Sequence, residues 1–151
     1  MATHKLTFED FDSDDFSLIA IYTTLDDYLL AYKLNCACNL NLKRSKEDIV
    51  YSENELHSFY DAHHMPTDNY LALLKNKSEV SNIKNENELF TFNKVAFILP
   101  EFSKADFFLK IEPQNKELTE SIINKIKSIQ QVSTVRYIAH NAIKNKRNLI
   151  F

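Results

Sequence analysis

The chain has 151 residues, 44% of them apolar, with a net charge of −3 and a pI near 5.9. That length and apolar content suit a single domain with a sizeable core and exclude a disordered chain, while the acidic balance argues against a dedicated nucleic-acid binder. Glycine is absent, which removes the Gly-rich phosphate loop, the dinucleotide fingerprint and the nucleophile elbow and leaves left-handed backbone positions to the 15 asparagines and to aspartate.

The chain begins without a basic region followed by an apolar run, so no signal peptide is expected. No apolar stretch approaches the roughly 20 residues of a membrane helix, and the expected location is the cytoplasm. His4–Phe8 reads as a short strand. Glu9–Asp15 is acidic, with Asp10, Asp12 and Asp14 at alternate positions. A calcium loop also needs a central glycine and a glutamate at its twelfth position, where this chain has Asp15 and Ile21, so a solvated turn is the better reading. Phe16–Tyr22 is a mostly apolar run and reads as a central strand. Thr24 and Asp27 resemble a capping box ahead of a helix over Leu25–Cys38, whose stripe Leu25, Leu29, Tyr32 and Cys36 is assigned to the core. Cys36 and Cys38 point to different sides of that helix and read as reduced packing residues.

Lys43, Arg44 and Lys46 form the best basic cluster. They suit a phosphate or RNA contact, or, beside Glu47 and Asp48, a solvated edge, which is preferred. Ile49–Tyr51 and Leu56–Tyr60 are short strand candidates, and Asp68–Lys75 is a stronger one. His57, Asp61, His63 and His64 are zinc-ligating residue types, but their spacing fits no metal template, and His63 and His64 diverge in a strand. Exposed loop histidines are the preferred reading. Asn76–Glu88 is polar and reads as a loop, and Leu89–Phe92 follows it.

Val95–Leu99 is a run of five apolar residues, suited to a strand buried on both faces. Pro100 ends it, having no N–H for a ladder. After a polar turn, Ala105–Glu112 reads as a second strand, with Phe107, Leu109 and Ile111 on one face and Phe108 and Lys110 on the other. A turn this short predicts an antiparallel hairpin. Glu101 and Asp106 suit a carboxylate pair for metal or acid/base work, or acceptors of backbone N–H groups that fix the turn, the preferred reading. After Pro113, a helix starts at Asn115 or Thr119 with the stripe Leu118, Ile122, Ile126 and Ile129, widened by Ile123. Val132–Ala139 alternates as a strand. The closing Leu149-Ile150-Phe151 is expected to dock on the body or on a partner.

Leu99-Pro100-Glu101, three residues, then Ala105-Asp106-Phe107 resembles the signature of the uncharacterised bacterial IPExxxVDY family. His4-Lys5-Leu6, the block Asp15–Asn35, Leu42-Lys43-Arg44-Ser45 and Asn148-Leu149-Ile150-Phe151 extend the likeness along the chain. The family carries no established activity to transfer. Leu99, Ala105 and Phe107 depart from its isoleucine, valine and tyrosine, and a tyrosine acid/base role is thereby lost at position 107. Pro100, Glu101 and Asp106 keep the pattern.

The expected fold is α+β: a mostly antiparallel sheet of five to seven strands with two helices on one face, as a single domain over residues 1–151. The expected function is a non-catalytic binding or regulatory module requiring no cofactor, with a protein partner or a homodimer through unpaired sheet edges. The alternatives are a small metal-dependent enzyme using Glu101 and Asp106 or the His57–His64 group, and a weak RNA or ribosome contact through Lys43, Arg44, Lys46 and the basic tail with Lys144, Lys146 and Arg147.

Overall fold

The computed structural model describes residues 15–52, 55–80 and 94–151. In chain order the elements are β1 (Ser17–Thr23), α1 (Asp27–Cys38), β2 (Lys43–Arg44), β3 (Ile49–Ser52), β4 (Glu55–His57), β5 (Phe59–His64), β6 (Asn69–Lys75), β7 (Lys77–Val80), β8 (Lys94–Phe97), β9 (Phe107–Glu112), α2 (Lys116–Lys127) and β10 (Val132–Ile138). Six strands form one antiparallel sheet in the order β10-β1-β9-β6-β5-β2. The pairs β3–β4 and β7–β8 stand apart from it. This is the expected α+β architecture. His4–Phe8, Asp10, Asp12, Asp14 and Leu89–Phe92 lie outside the described residues.

The central strands are buried on both faces, which explains their unbroken apolar runs. One face carries Ile19, Ile21, Leu71, Leu73, Phe107, Leu109 and Ile111 and packs against both helices. Helix α2 forms as its pattern predicts. The Asn115 side chain accepts the Leu118 N–H at 3.0 Å and caps it, and Ile122 and Ile126 turn inward. Helix α1 differs from expectation. It starts at Asp27, after an Asp26 cap whose side chain makes no capping bond, and it buries Leu30, Ala31, Leu34 and Cys38. Leu29, Tyr32 and Cys36, assigned to the core by the sequence pattern, face outward instead. The helix is apolar around most of its circumference, so periodicity could not choose the buried side.

The other sheet face carries Phe16, Leu18, Ala20, Phe59, Ala72, Leu74 and Phe108, and it is buried too. Its cover is the turn around Ile98, Leu99 and Ala105, together with Ile143 and Leu149 of the closing segment. The expected pair of layers is therefore three. The predicted hairpin between Val95–Leu99 and Ala105–Glu112 does not form. Strand β8 pairs with β7, and β9 lies between β1 and β6. Lys77–Val80, read as loop, is thus a strand. Ile98 and Leu99 leave the ladder and bury fully against the sheet.

One residue holds that turn. Asn76 is fully buried. Its side-chain NH2 donates to Phe102 O at 3.0 Å and Ala105 O at 2.9 Å, and its Oδ1 accepts the Leu99 N–H at 3.1 Å. Its backbone N–H donates to Asp106 O, and its carbonyl accepts from Ile98 N, both at 3.0 Å. Without glycine, left-handed backbone falls to Asn39 at the end of α1 (φ 52°) and Asp68 in the β5–β6 turn (φ 55°), as expected. The Glu112–Pro113 bond is cis.

Asn76→Ala strands an N–H and two carbonyls in the interior. It is expected to lower unfolding free energy by roughly 3 kcal/mol or more in urea titrations, and Asn76→Asp, which cannot donate, to lose most of the same.

Candidate functional site

Pro100–Phe102 forms a single 3-10 turn, with Pro100 at its first position, where a missing N–H costs nothing. The turn aims Glu101 at the closing segment. Glu101 Oε1 accepts the backbone N–H groups of Lys144 at 2.8 Å and Asn145 at 3.0 Å, and Oε2 accepts the Asn145 side-chain NH2 at 2.8 Å. Burial alone would raise the Glu101 carboxyl. Hydrogen bonds from its own backbone N–H, from the Asn145 side chain and from the backbone of Asn145 and Lys144 outweigh that and hold it below its ordinary value. Asp106 serves another segment: its Oδ2 accepts the Thr23 N–H at 2.9 Å, at the end of β1. Thr23 in turn donates its hydroxyl to Gln131 O at 2.8 Å. The two signature acids are tied to different parts of the chain, each accepting backbone N–H groups.

The four zinc-type residues are also dispersed. His57 is fully buried on β4, with Nδ1 2.8 Å from Lys75 O, Nε2 3.0 Å from Glu55 Oε1 and its ring edge-on to Tyr51. Asp61 accepts the Tyr70 hydroxyl at 2.9 Å. His63 contacts Asp68 at 2.7 Å, and His64 contacts the Thr67 hydroxyl at 2.7 Å. No group of three or more His, Cys, Asp or Glu able to hold a metal occurs among the described residues. His57, read as an exposed loop histidine, is instead a core residue of the β3–β4 hairpin. Its fixed contacts depend on Lys75, 18 residues away, which no local pattern reveals.

The basic cluster divides. Arg44 bonds Asp27 at 3.2 Å, pairs closely with Asp48 and lies 5.5 Å over the Tyr60 ring. Lys43 and Lys46 remain exposed. An open cleft of about 560 Å³ lies between the β3 region and the closing segment, lined by Tyr51, Phe59, Tyr70, Arg147 and Phe151 among others. A second, of about 330 Å³, holds Lys43, Asp61 and His63 and shares Tyr70. The tyrosine hydroxyls here are not poised as bases. Burial, then the negative charge of Glu55, pushes Tyr51 up to about 12, and burial with the Asp61 hydrogen bond raises Tyr70. Burial likewise pushes the Cys38 thiol up to about 11, against a smaller opposing pull from Lys125. It stays protonated at neutral pH, which is not a nucleophilic state.

Two features carry little local sequence signal. Lys110 sits in the middle of β9 at 7% exposure. Its Nζ donates to Leu149 O at 2.9 Å, lies 3.0 Å from Glu112 Oε2 and rests over the Phe16 and Phe151 rings. It latches the closing segment onto the sheet, and the interruption of the F-F-L-K-I run was the only hint. The second is the outer face of α1, where Tyr28 is 59% and Tyr32 65% exposed, with Leu29 and Cys36 beside them.

No protein-family model, curated protein or solved structure matches this chain. No described helix is long and apolar enough to cross a membrane.

Two outcomes follow from these contacts. Because the folded Glu101 carboxyl titrates below its ordinary value, the unfolded chain binds the extra proton first as pH falls. The stabilisation is complete above the ordinary glutamate range and disappears as pH drops through the folded value. Denaturant titrations from neutral pH into acid should show this loss in the wild type, and Glu101→Gln should flatten it. His57→Ala should cost about 2–3 kcal/mol through lost buried contacts, whereas His63→Ala should stay within roughly 0.5 kcal/mol; comparable costs for both would contradict the structural assignment.

Proposed function

We propose that this chain is a non-catalytic cytoplasmic binding module whose contact surface is the outer face of α1. The contrast between the two helices carries the reading. Both pack on the same sheet face. The outer side of α2 presents Lys116, Glu117, Glu120, Lys125 and Lys127, all exposed, as a solvated helix does. The outer side of α1 presents Tyr28, Leu29, Tyr32 and Cys36, aromatic and apolar groups of the kind enriched at interfaces.

The acids and histidines add support, since Glu101, Asp106, His57 and Asp61 each have contacts that hold the fold. A kinship with the IPExxxVDY family fits the same proposal, with the signature acids as ties between segments.

The test is affinity purification of the tagged protein from its native host, beside a Tyr28→Glu/Tyr32→Glu variant with an unchanged melting temperature. The expected result is a reproducible protein partner whose recovery falls at least about tenfold in the variant, the scale of two interfacial tyrosines. Equal recovery from both, or RNA as the only recovered species, would overturn the reading.

A further inference from the structure

We propose that the outer face of α1 pairs antiparallel with the same face of a second copy of this chain. The inference rests on the reading of α1 as the binding face and names its occupant.

The face is self-complementary in shape. An α-helix turns every ~3.6 residues, which sets Tyr28, Leu29, Tyr32 and Cys36 on one stripe, opposite the buried Leu30, Ala31, Leu34 and Cys38. Place two such stripes antiparallel about the point between Leu30 and Ala31. Leu29 of one copy then meets Tyr32 of the other. Each larger group faces one that leaves room for it. A parallel arrangement stacks Tyr32 on Tyr32 and Leu29 on Leu29, and it aligns the two helix dipoles unfavourably.

The face is also self-complementary in charge. Asp26 and Lys33 lie on the same flank of the stripe, seven residues apart. Reversing one helix brings like flanks together, so Asp26 of one copy comes level with position 35 of the other, about 3 Å along the axis from Lys33. Symmetry makes that contact twice. Asp26 is exposed and carries no capping bond, so its carboxylate is available.

The sheet edges suit pairing less well. The β1–β10 register slips between Tyr22 and Thr23, which makes Ser133 a bulge whose hydroxyl donates to Tyr22 O at 2.9 Å, and Arg136 sits mid-strand. A bulge and a central charge both blunt an edge. The opposite edge, β2, is two residues long.

A three-turn helix pair is short for an interface, below the roughly 1,200 Å² of stable complexes. The dimer is therefore weak and concentration-dependent.

The experiment is sedimentation velocity of the full chain across a wide dilution range, with Tyr28→Glu/Tyr32→Glu and Lys33→Glu alongside. The wild type should shift from monomer to dimer. The tyrosine variant should raise the dissociation constant at least about tenfold, and Lys33→Glu should raise it several-fold. Orientation is read separately: Leu29→Cys and Tyr32→Cys chains, each also carrying Cys36→Ser, should cross-link to one another under mild oxidation in preference to themselves, while wild-type Cys36 alone should not form a disulfide-linked dimer. A strictly monomeric wild type overturns the pairing and assigns the face to a different partner. In that case the binding-module reading still stands if the host partner is lost with the tyrosine variant. A dimer indifferent to the tyrosine variant, or one that links wild-type Cys36 to Cys36, also overturns it.

Discussion

A single buried amide organises the side of the sheet opposite α1 and α2. The turn from Ile98 to Asp106 has little regular structure, so its backbone polar groups have no ladder to join. Asn76 supplies the partners: its side chain takes one N–H and two carbonyls, and its backbone takes one of each. Buried backbone groups left unpaired cost as much as several ordinary hydrogen bonds contribute. Satisfying them through one residue lets Ile98, Leu99 and Ala105 lie flat on the sheet, and the turn then presents Glu101 to the closing segment.

The remaining polar groups continue that pattern. Glu101 fixes residues 144 and 145, Lys110 fixes Leu149, the Tyr51 hydroxyl donates to Asn148 O, and the Asn148 side chain donates to Ile98 O at 2.7 Å. A lysine in the central strand of a sheet is costly unless its charge is answered. Here a carbonyl, a carboxylate and two aromatic faces answer it. The third layer is thus apolar in its contact area and held in register by charge-assisted hydrogen bonds, which are directional where burial is not. Glu101 and Lys110 both make these ties.

The two helices illustrate what such a sheet leaves free. Both satisfy its helical face, but only α2 finishes with a charged exterior. Helix α1 is apolar on both sides, and its buried and exposed stripes have the same spacing. The exposed stripe, with Asp26 and Lys33 on its flank, is the face on which the proposed pairing rests.

Much of the frame was legible in the sequence. The runs that became β1, β6, β9 and β10 were each recognisable from local pattern, as were α2, with Asn115 one of two starts offered, and the use of asparagine and aspartate in left-handed backbone, because periodicity and backbone sterics act within a few residues. The candidate site was less legible. The acids at 101 and 106 were correctly expected to accept backbone N–H groups, but from the turn itself, whereas their donors lie at 144, 145 and 23. His57 looked exposed because its partners lie at 55, 75 and 51. Only the tertiary structure decided that β8 joins β7 rather than β9, that α1 buries its second stripe and that Lys110 points beneath the closing segment. The physical reason is common to all three. Each choice is made by contacts between residues far apart in the chain, and a local pattern states what a segment can bury without stating against what.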